Sequence, residues 1–393
     1  MGPPYPETTR RTPDVPEQYG ERHTRVTDDI PAPASAPTAL APVNREPWID
    51  VAKGIAITLV VLFHSTMYLG LAGVVGPLTT LNPLLDTFRM PLFFFMSGIV
   101  GARAVTLTYR GLFRRRLVLL LYLYVVWSAA QHLFAIALPP ITEVADEGHW
   151  WGIVNLFVIP NANLWFIYAL PLFFTIAWLT RSWPRWLPLV LSAVVSVLFS
   201  SGYLHTATAW DKMGRYLFFF LLALQLGSWV RSVAPRTRWW HAVAVIVIYG
   251  ALLALVVKAG LIRAPFVLFA LSIIAVCVGI TVAVVISRIP PLDFVRHLGT
   301  RTLPIYLVHT FPMVAVASVI VATGVEVPSL LAAVMPIVLT VVAILLSLAL
   351  YHWLRGVRGV FTVPVASWVD TRTVLDRSEP VAVKPSPGGP QAR

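Results

Sequence analysis

Apolar runs of roughly 15 to 25 residues recur along the chain, near 48–70, 83–105, 117–138, 163–180, 186–202, 216–230, 239–257, 264–287, 303–323 and 329–353. Inside a bilayer no water is available to the backbone, so a spanning segment must satisfy its own N–H and C=O groups, as a helix does. The pattern therefore predicts an all-α fold, a polytopic membrane helix bundle with about ten transmembrane helices. The fifth and sixth runs are short. The second is interrupted by Arg89 and Pro91, which leaves a re-entrant or broken helix open at that point. No internal repeat is visible.

Composition agrees with a lipid environment. The 393 residues are 57% hydrophobic and only 12% charged, with a mean hydropathy of +0.75, too apolar for a soluble domain. The formal charge of +12 does not point to nucleic acid, because the basic residues sit in short segments between apolar runs, where they act as orientation signals. Cys277 is the single cysteine and lies within an apolar run, so neither an internal disulfide nor a cysteine-based metal site can form. No metal is expected.

Residues 1–47 are rich in Pro, Thr, Glu, Asp and Arg, and are expected to form a disordered tail. No short apolar segment follows the initiating Met, so the first helix is expected to be an uncleaved anchor. A transmembrane domain over 48–355 and a second, mostly disordered tail over 356–393 complete the division. One set of connecting segments carries Arg103, Arg110, Arg114, Arg115, Arg116, Arg181, Arg185, Arg231, Arg236 and Arg238, with more arginines beyond residue 287. The opposite set holds only Lys212, Arg215, Lys258 and Arg263, with Glu143, Asp146 and Glu147 between. The asymmetry predicts an integral, multi-pass protein with both termini cytoplasmic and 139–162 facing outward. The plasma membrane is the expected bilayer, a point the charge asymmetry does not itself specify.

The first run places Asp50, Lys53 and His64 in or beside the bilayer, where ionisable groups are costly and usually functional. Lys53 and His64 are eleven residues apart, so on a helix they differ by about 20° in direction and about 16 Å in height. They share one face. Asp50, three residues before Lys53, is placed to pair with it. The bland readings are that Lys53 snorkels to the headgroups and that His64 bonds a neighbouring helix. His309 is the other intramembrane histidine of note, with Tyr306 beside it as a second polar cluster. Residues of this kind also suit a proton-coupled secondary transporter, although transporters usually show two related halves, which this chain lacks.

The order of motifs resembles a known family. DVAKGIAITLVVLFH in the first run, FRMPLFFFMSG at 88–98, NLWFIYAL at 163–170 and LGTRTLPIYLVHT at 298–310 are similar to successive signatures of the acyltransferase-3 family, and more closely to its fucose 4-O-acetylase-like branch. The likeness runs from about residue 46 to 355. Two departures stand out. Arg89 occupies the place of a histidine usual in that branch, and the family's paired arginines are not matched in register by Arg110 and the triplet from Arg114 to Arg116.

The resemblance implies a membrane-bound O-acyltransferase that takes acetyl from acetyl-CoA, or another acyl from its acyl-CoA, and passes it to a hydroxyl of a sugar or glycan. No permanently bound cofactor is implied; the acyl-CoA is a co-substrate. His64 is then the expected catalytic residue, as general base or as transient acyl carrier, with Asp50 fixing the donor end through Lys53. Lys53, Arg110 and Arg114 are expected to hold the phosphates of the donor. Arg89, Ser97, Trp165, Tyr306 and His309 are candidates for the acceptor site. Ser97 also suits close helix approach, and Trp165 suits an interfacial anchor as well as a platform for a sugar face.

Overall fold

The computed structural model describes residues 46–141, 158–206, 208–264 and 266–364. Among these residues the regular structure is helical, and eight helices are long and apolar enough to cross a membrane. In chain order the spans are α1 Pro47–Leu71, α2 Pro77–Val105, α3 Tyr109–Ile136, α6 Ala209–Val233, α7 Trp239–Lys258, α8 Val267–Ile286, α10 Thr302–Thr323 and α11 Ser329–Leu354. Two shorter apolar helices, α4 Trp165–Leu179 and α5 Trp186–Ser200, lie between α3 and α6. At 15 residues each they reach about 22 Å, less than a full hydrocarbon core. The ten apolar helices coincide with the ten runs read from the sequence.

Two details differ from the sequence expectation. The run at 83–105 is neither re-entrant nor broken: α2 continues through Arg89 and Pro91 for 29 residues. Pro91 has no N–H to give one turn back, but α1, α6 and α8 pack along α2 and hold it. The sixth run is not short either. Its helix, α6, starts at Ala209 and takes in Asp211, Lys212 and Arg215, residues that hydropathy assigns to a loop.

Local chemistry explains most helix ends. Pro47 and Pro77 open α1 and α2 at positions where a missing N–H costs nothing. Thr108 caps α3 by accepting from the Gly111 N–H at 3.2 Å, and Thr208 caps α6 by accepting from Trp210 at 3.3 Å. Gly324, with φ of 62°, closes α10 in the left-handed conformation that glycine adopts without penalty. A π-helical turn, Phe113–Leu117, interrupts α3 at the arginine triplet and shifts the register of the side chains there.

α1 is the centre of the bundle, packed against α2, α8, α10, α11 and the short helix α9, Asp293–Thr300. The α1–α9 contact is very close. Gly54 faces the main chain of Val295, and Gly299 faces the main chain of Asp50, so a methyl group at either glycine would meet backbone. By contrast α7 buries only Ala242 and presents apolar side chains all round, the surface of a helix that faces lipid. Residues 356–364, assigned to the tail by composition, pack onto the bundle. Phe361 is buried, and Tyr122 and Trp127 donate to the carbonyls of Gly359 and Val360 at 2.9 Å each.

Candidate active site

Three helix faces converge inside the bundle. On α1 the face runs from Lys53 to Val60 and His64; on α2 it runs from Arg89 through Phe93 and Ser97 to Val100; on α10 it carries Thr302, Leu303 and Tyr306. These spacings of three, four, seven and eleven residues put side chains in line along a helix. Two cavities open between the faces. One, of about 70 Å³, is lined by His64, Asp86, Arg89, Trp165, Lys212 and Arg215, among others. The second, of about 140 Å³, is lined by Lys53, Ser97, Arg116, Thr302 and a group of apolar residues.

Tyr306 lines both cavities and so stands in the wall between them. Its hydroxyl accepts from the Phe166 backbone N–H at 3.2 Å, which ties α10 to the start of α4. Trp165 faces the first cavity and its neighbour Phe166 the second; Met90 and Phe93, one turn apart on α2, divide in the same way. Phe93 and Phe166 stack at 4.4 Å between ring centroids, sealing the rest of the wall.

His64 and His309 form one unit, where the sequence suggested two separate polar clusters. His309 is fully buried, and its Nδ1 lies 3.1 Å from the carbonyl of Ile305 and 2.9 Å from that of Tyr306. Two acceptors around one ring nitrogen require that nitrogen to carry the proton. With the ring neutral, Nε2 of His309 is then an acceptor, and 3.2 Å away stands Nδ1 of His64. That nitrogen also lies 3.0 Å from the Val60 carbonyl, so it too carries a proton. The consequence for His64 is a fixed tautomer with its lone pair on Nε2, the atom that has no hydrogen-bond partner among the described residues. His64 lines the first cavity; His309 stands behind it.

Asp50 and Lys53 pair as the spacing suggested, at 3.2 Å, with Asp50 buried. The structure does not bring Asp50 to His64: fourteen residues of helix, about 21 Å, separate them. Of the arginines after α2, Arg116 reaches the second cavity, whereas Arg110 is exposed and Arg114 does not line it. Ser97 lines that cavity and donates to the Phe93 carbonyl at 2.8 Å. Arg89 projects into the first cavity, with its guanidinium 2.6 Å from Asp86 and 3.7 Å above the Phe63 ring. Trp165 lines the same cavity and stacks against Tyr216 at 5.9 Å.

Sequence reasoning missed Asp86, Lys212, Arg215 and Tyr216 as cavity residues. A signal was there for three of them: Lys212, Arg215 and Tyr216 are spaced three and one apart just before an apolar run, so the helix start places them on one side. His149 lies outside the described residues. His205 is exposed and pairs with Asp211 at 2.7 Å, away from the cavities.

A family model described as an acyltransferase domain matches residues 46–352. No curated protein and no solved structure matches the chain at a significant level. The matched span takes in α1 to α10, all but the last two residues of α11, and both cavities, and covers well over half of the sequence. The chain belongs to the acyltransferase-3 family and is a membrane acyltransferase.

Proposed function

We propose that the protein is an O-acetyltransferase of the fucose 4-O-acetylase-like kind, which moves acetyl from acetyl-CoA to a hydroxyl of a sugar or glycan. The observation that carries the reading is the His64–His309 pair, with the unprotonated Nε2 of His64 on a cavity separated by Tyr306 from a second cavity that holds Lys53 and Arg116. Two substrates that must meet at one atom suit two chambers that share a wall.

Lys53 and Arg116 are donor-binding residues in this reading, a point ammonium and a planar guanidinium facing the phosphates of the CoA. The apolar remainder of their cavity, with Phe93, Leu119, Leu120, Ile167 and Leu170, suits the pantetheine arm and excludes water from the thioester. Orientation follows the arginine asymmetry: the Lys53 side is cytoplasmic and both termini lie on that side. The plasma membrane is part of the proposal and does not follow from that asymmetry. The acceptor then enters the His64 cavity from the opposite side.

For reaction, the thioester carbonyl must pass Tyr306 and reach the acceptor hydroxyl. Nε2 of His64 takes the hydroxyl proton as the oxygen attacks the carbonyl carbon. A new C–O bond forms, the C–S bond breaks, and the CoA sulfur leaves with the electron pair and takes up the proton. The positive charge that develops on His64 is shared through Nδ1–H with His309, whose own ring is held by two main-chain carbonyls. Asp50 acts on the donor end by fixing Lys53, since it is too far from His64 to orient it.

The deciding experiment compares the masses of surface and lipid-linked glycans from cells with and without the protein, together with label transfer from acetyl-CoA in isolated membranes. Glycans heavier by one acetyl group, and label that moves only when the protein is present, are the expected results. Identical glycan masses and no transfer of label would remove the reading.

A further inference from the structure

The His64 cavity is lined by more positive charge than its protein partners neutralise. Arg89, Lys212 and Arg215 line it against one carboxylate, Asp86. The Arg89 side chain is 4% exposed; one Nη pairs with Asp86 at 2.6 Å, while the other is buried with no hydrogen-bond partner among the described residues. Stacking on Phe63 holds the guanidinium plane, so the second Nη cannot easily turn away to find one. Across the cavity Arg215 makes a 3.4 Å contact from Nη2 to the Phe199 carbonyl and lies beside the Tyr216 hydroxyl, while its Nε is buried with no hydrogen-bond partner among the described residues. Lys212, one turn away on α6, makes no ion pair among the described residues, and its ammonium lies 5.7 Å from the Trp165 ring centroid.

Leaving a buried guanidinium N–H unpaired costs stability, and more near other cations, so a cluster of this kind needs a compensating group. A fleeting negative charge on a transition-state oxygen would engage one such donor. Three cations on two facing helices, with donors open on both walls, exceed that need and fit a ligand that brings its own oxyanion. Trp165 and Tyr216, stacked on the same wall, add an aromatic surface suited to a sugar ring.

We propose that this cavity recognises an acidic sugar, one bearing a carboxylate or phosphate, with the oxyanion bridged between Arg89 on α2 and the Lys212–Arg215 turn on α6. The inference rests on the acyl-acceptor reading of the His64 cavity and narrows it: the hydroxyl to be acylated sits beside the anionic group, which fixes the ring relative to His64.

The test is equilibrium binding to the full-length protein in nanodiscs of neutral lipid, with three probes: methyl glucuronide, glucose 1-phosphate and methyl glucoside. The first two are expected to bind about 10- to 100-fold more tightly than the neutral glucoside, the range for a charge-assisted hydrogen bond to a buried donor. Comparison of the first two separates a carboxylate-bearing sugar from a phosphate-bearing one. Arg89→Gln and Lys212→Gln should each bring the anionic probes towards the neutral one, while Lys258→Gln, at the far end of α7 and outside both cavities, should retain the preference. Lys212 is half-buried and has no structural ion pair among the described residues, so its variant reports even if Arg89→Gln fails to fold. Equal binding of charged and neutral probes, binding of none, or an anion preference that survives in both folded variants would overturn the proposal. Binding needs no acyl donor: absent acyl transfer with intact anion preference would remove the transferase reading of the cavity and leave the anion site standing.

Discussion

Nε2 of His309 lies 3.2 Å from Nδ1 of His64, across 245 residues of chain, and main-chain carbonyls on the far side of His309 dictate which of the facing nitrogens holds the proton. The arrangement makes His309 a positioning residue that acts through His64. His309→Ala should lower kcat about 10- to 100-fold with little change in the KM for acyl-CoA, because the charge that develops on His64 is no longer shared with a second ring, while the Val60 carbonyl still holds the Nδ1 proton and donor contacts remain. His309→Gln, whose amide oxygen can still accept from Nδ1–H, should recover part of the rate. Steady-state kinetics in membranes at equal protein level check both. Equal loss in the two variants, with KM rising alongside, would mean that His309 serves packing alone.

His64 itself should be far less tolerant. Removing a positioned general base costs about two to four orders of magnitude, so His64→Ala should bring acyl transfer close to background while acyl-CoA still binds. His64→Gln discriminates further. Glutamine can keep a hydrogen bond between helices but cannot take a proton near neutral pH, so it should fail to restore transfer. Substantial activity in His64→Gln would exclude the residue from the chemistry.

At the other cavity, Lys53→Ala and Arg116→Gln are each expected to raise the KM for acyl-CoA by about tenfold and to leave kcat nearly unchanged, the pattern for lost donor binding. Lys53→Arg should keep much of the affinity, since it keeps the charge and the length needed to reach Asp50. Titration of donor binding in the same membranes provides the check. Unaltered donor affinity in both Lys53→Ala and Arg116→Gln would show that these cations only anchor their helices at the bilayer surface.

Much of this layout was legible in the sequence because a bilayer imposes one length and one chemistry on every span. Hydropathy alone located ten helices, and the eleven-residue interval put Lys53 and His64 on one face of α1 without any tertiary information. The helix start at Ala209 was missed although its spacing was on view, because Asp211, Lys212 and Arg215 are polar, and polarity before an apolar run reads as loop until the helix is seen to include it. The pairing of His64 with His309 was hidden for a different reason. It depends on which helices meet in space, and periodicity says which face a residue occupies but not which helix it meets. The same limit applies to 356–364, whose carbonyls are bonded by Tyr122 and Trp127 across more than two hundred residues.

The reciprocal glycine contact between α1 and α9 offers a test of how the donor end is positioned. Gly299 on α9 lies directly against the main chain of Asp50 on α1, and Gly54 on α1 lies against the main chain of Val295 on α9, so the two helices are locked by reciprocal glycine contacts. A methyl group at Gly299 cannot be absorbed by a flexible side chain, because the atoms it meets are backbone. Gly299→Ala should therefore push α9 away from α1, at a cost of about 1 to 3 kcal/mol, the usual penalty for overpacking. The unfolding temperature of the purified protein should fall. Because Asp50 holds Lys53 at 3.2 Å, displacement of the Asp50 backbone should also move the ammonium, so the KM for acyl-CoA should rise while kcat changes less. Gly250→Ala is the matched control: it lies within α7, where nothing stands within 4 Å of an added methyl group, and it should alter neither quantity. If Gly299→Ala behaves like Gly250→Ala in both measurements, the α1–α9 contact does not set the position of Lys53.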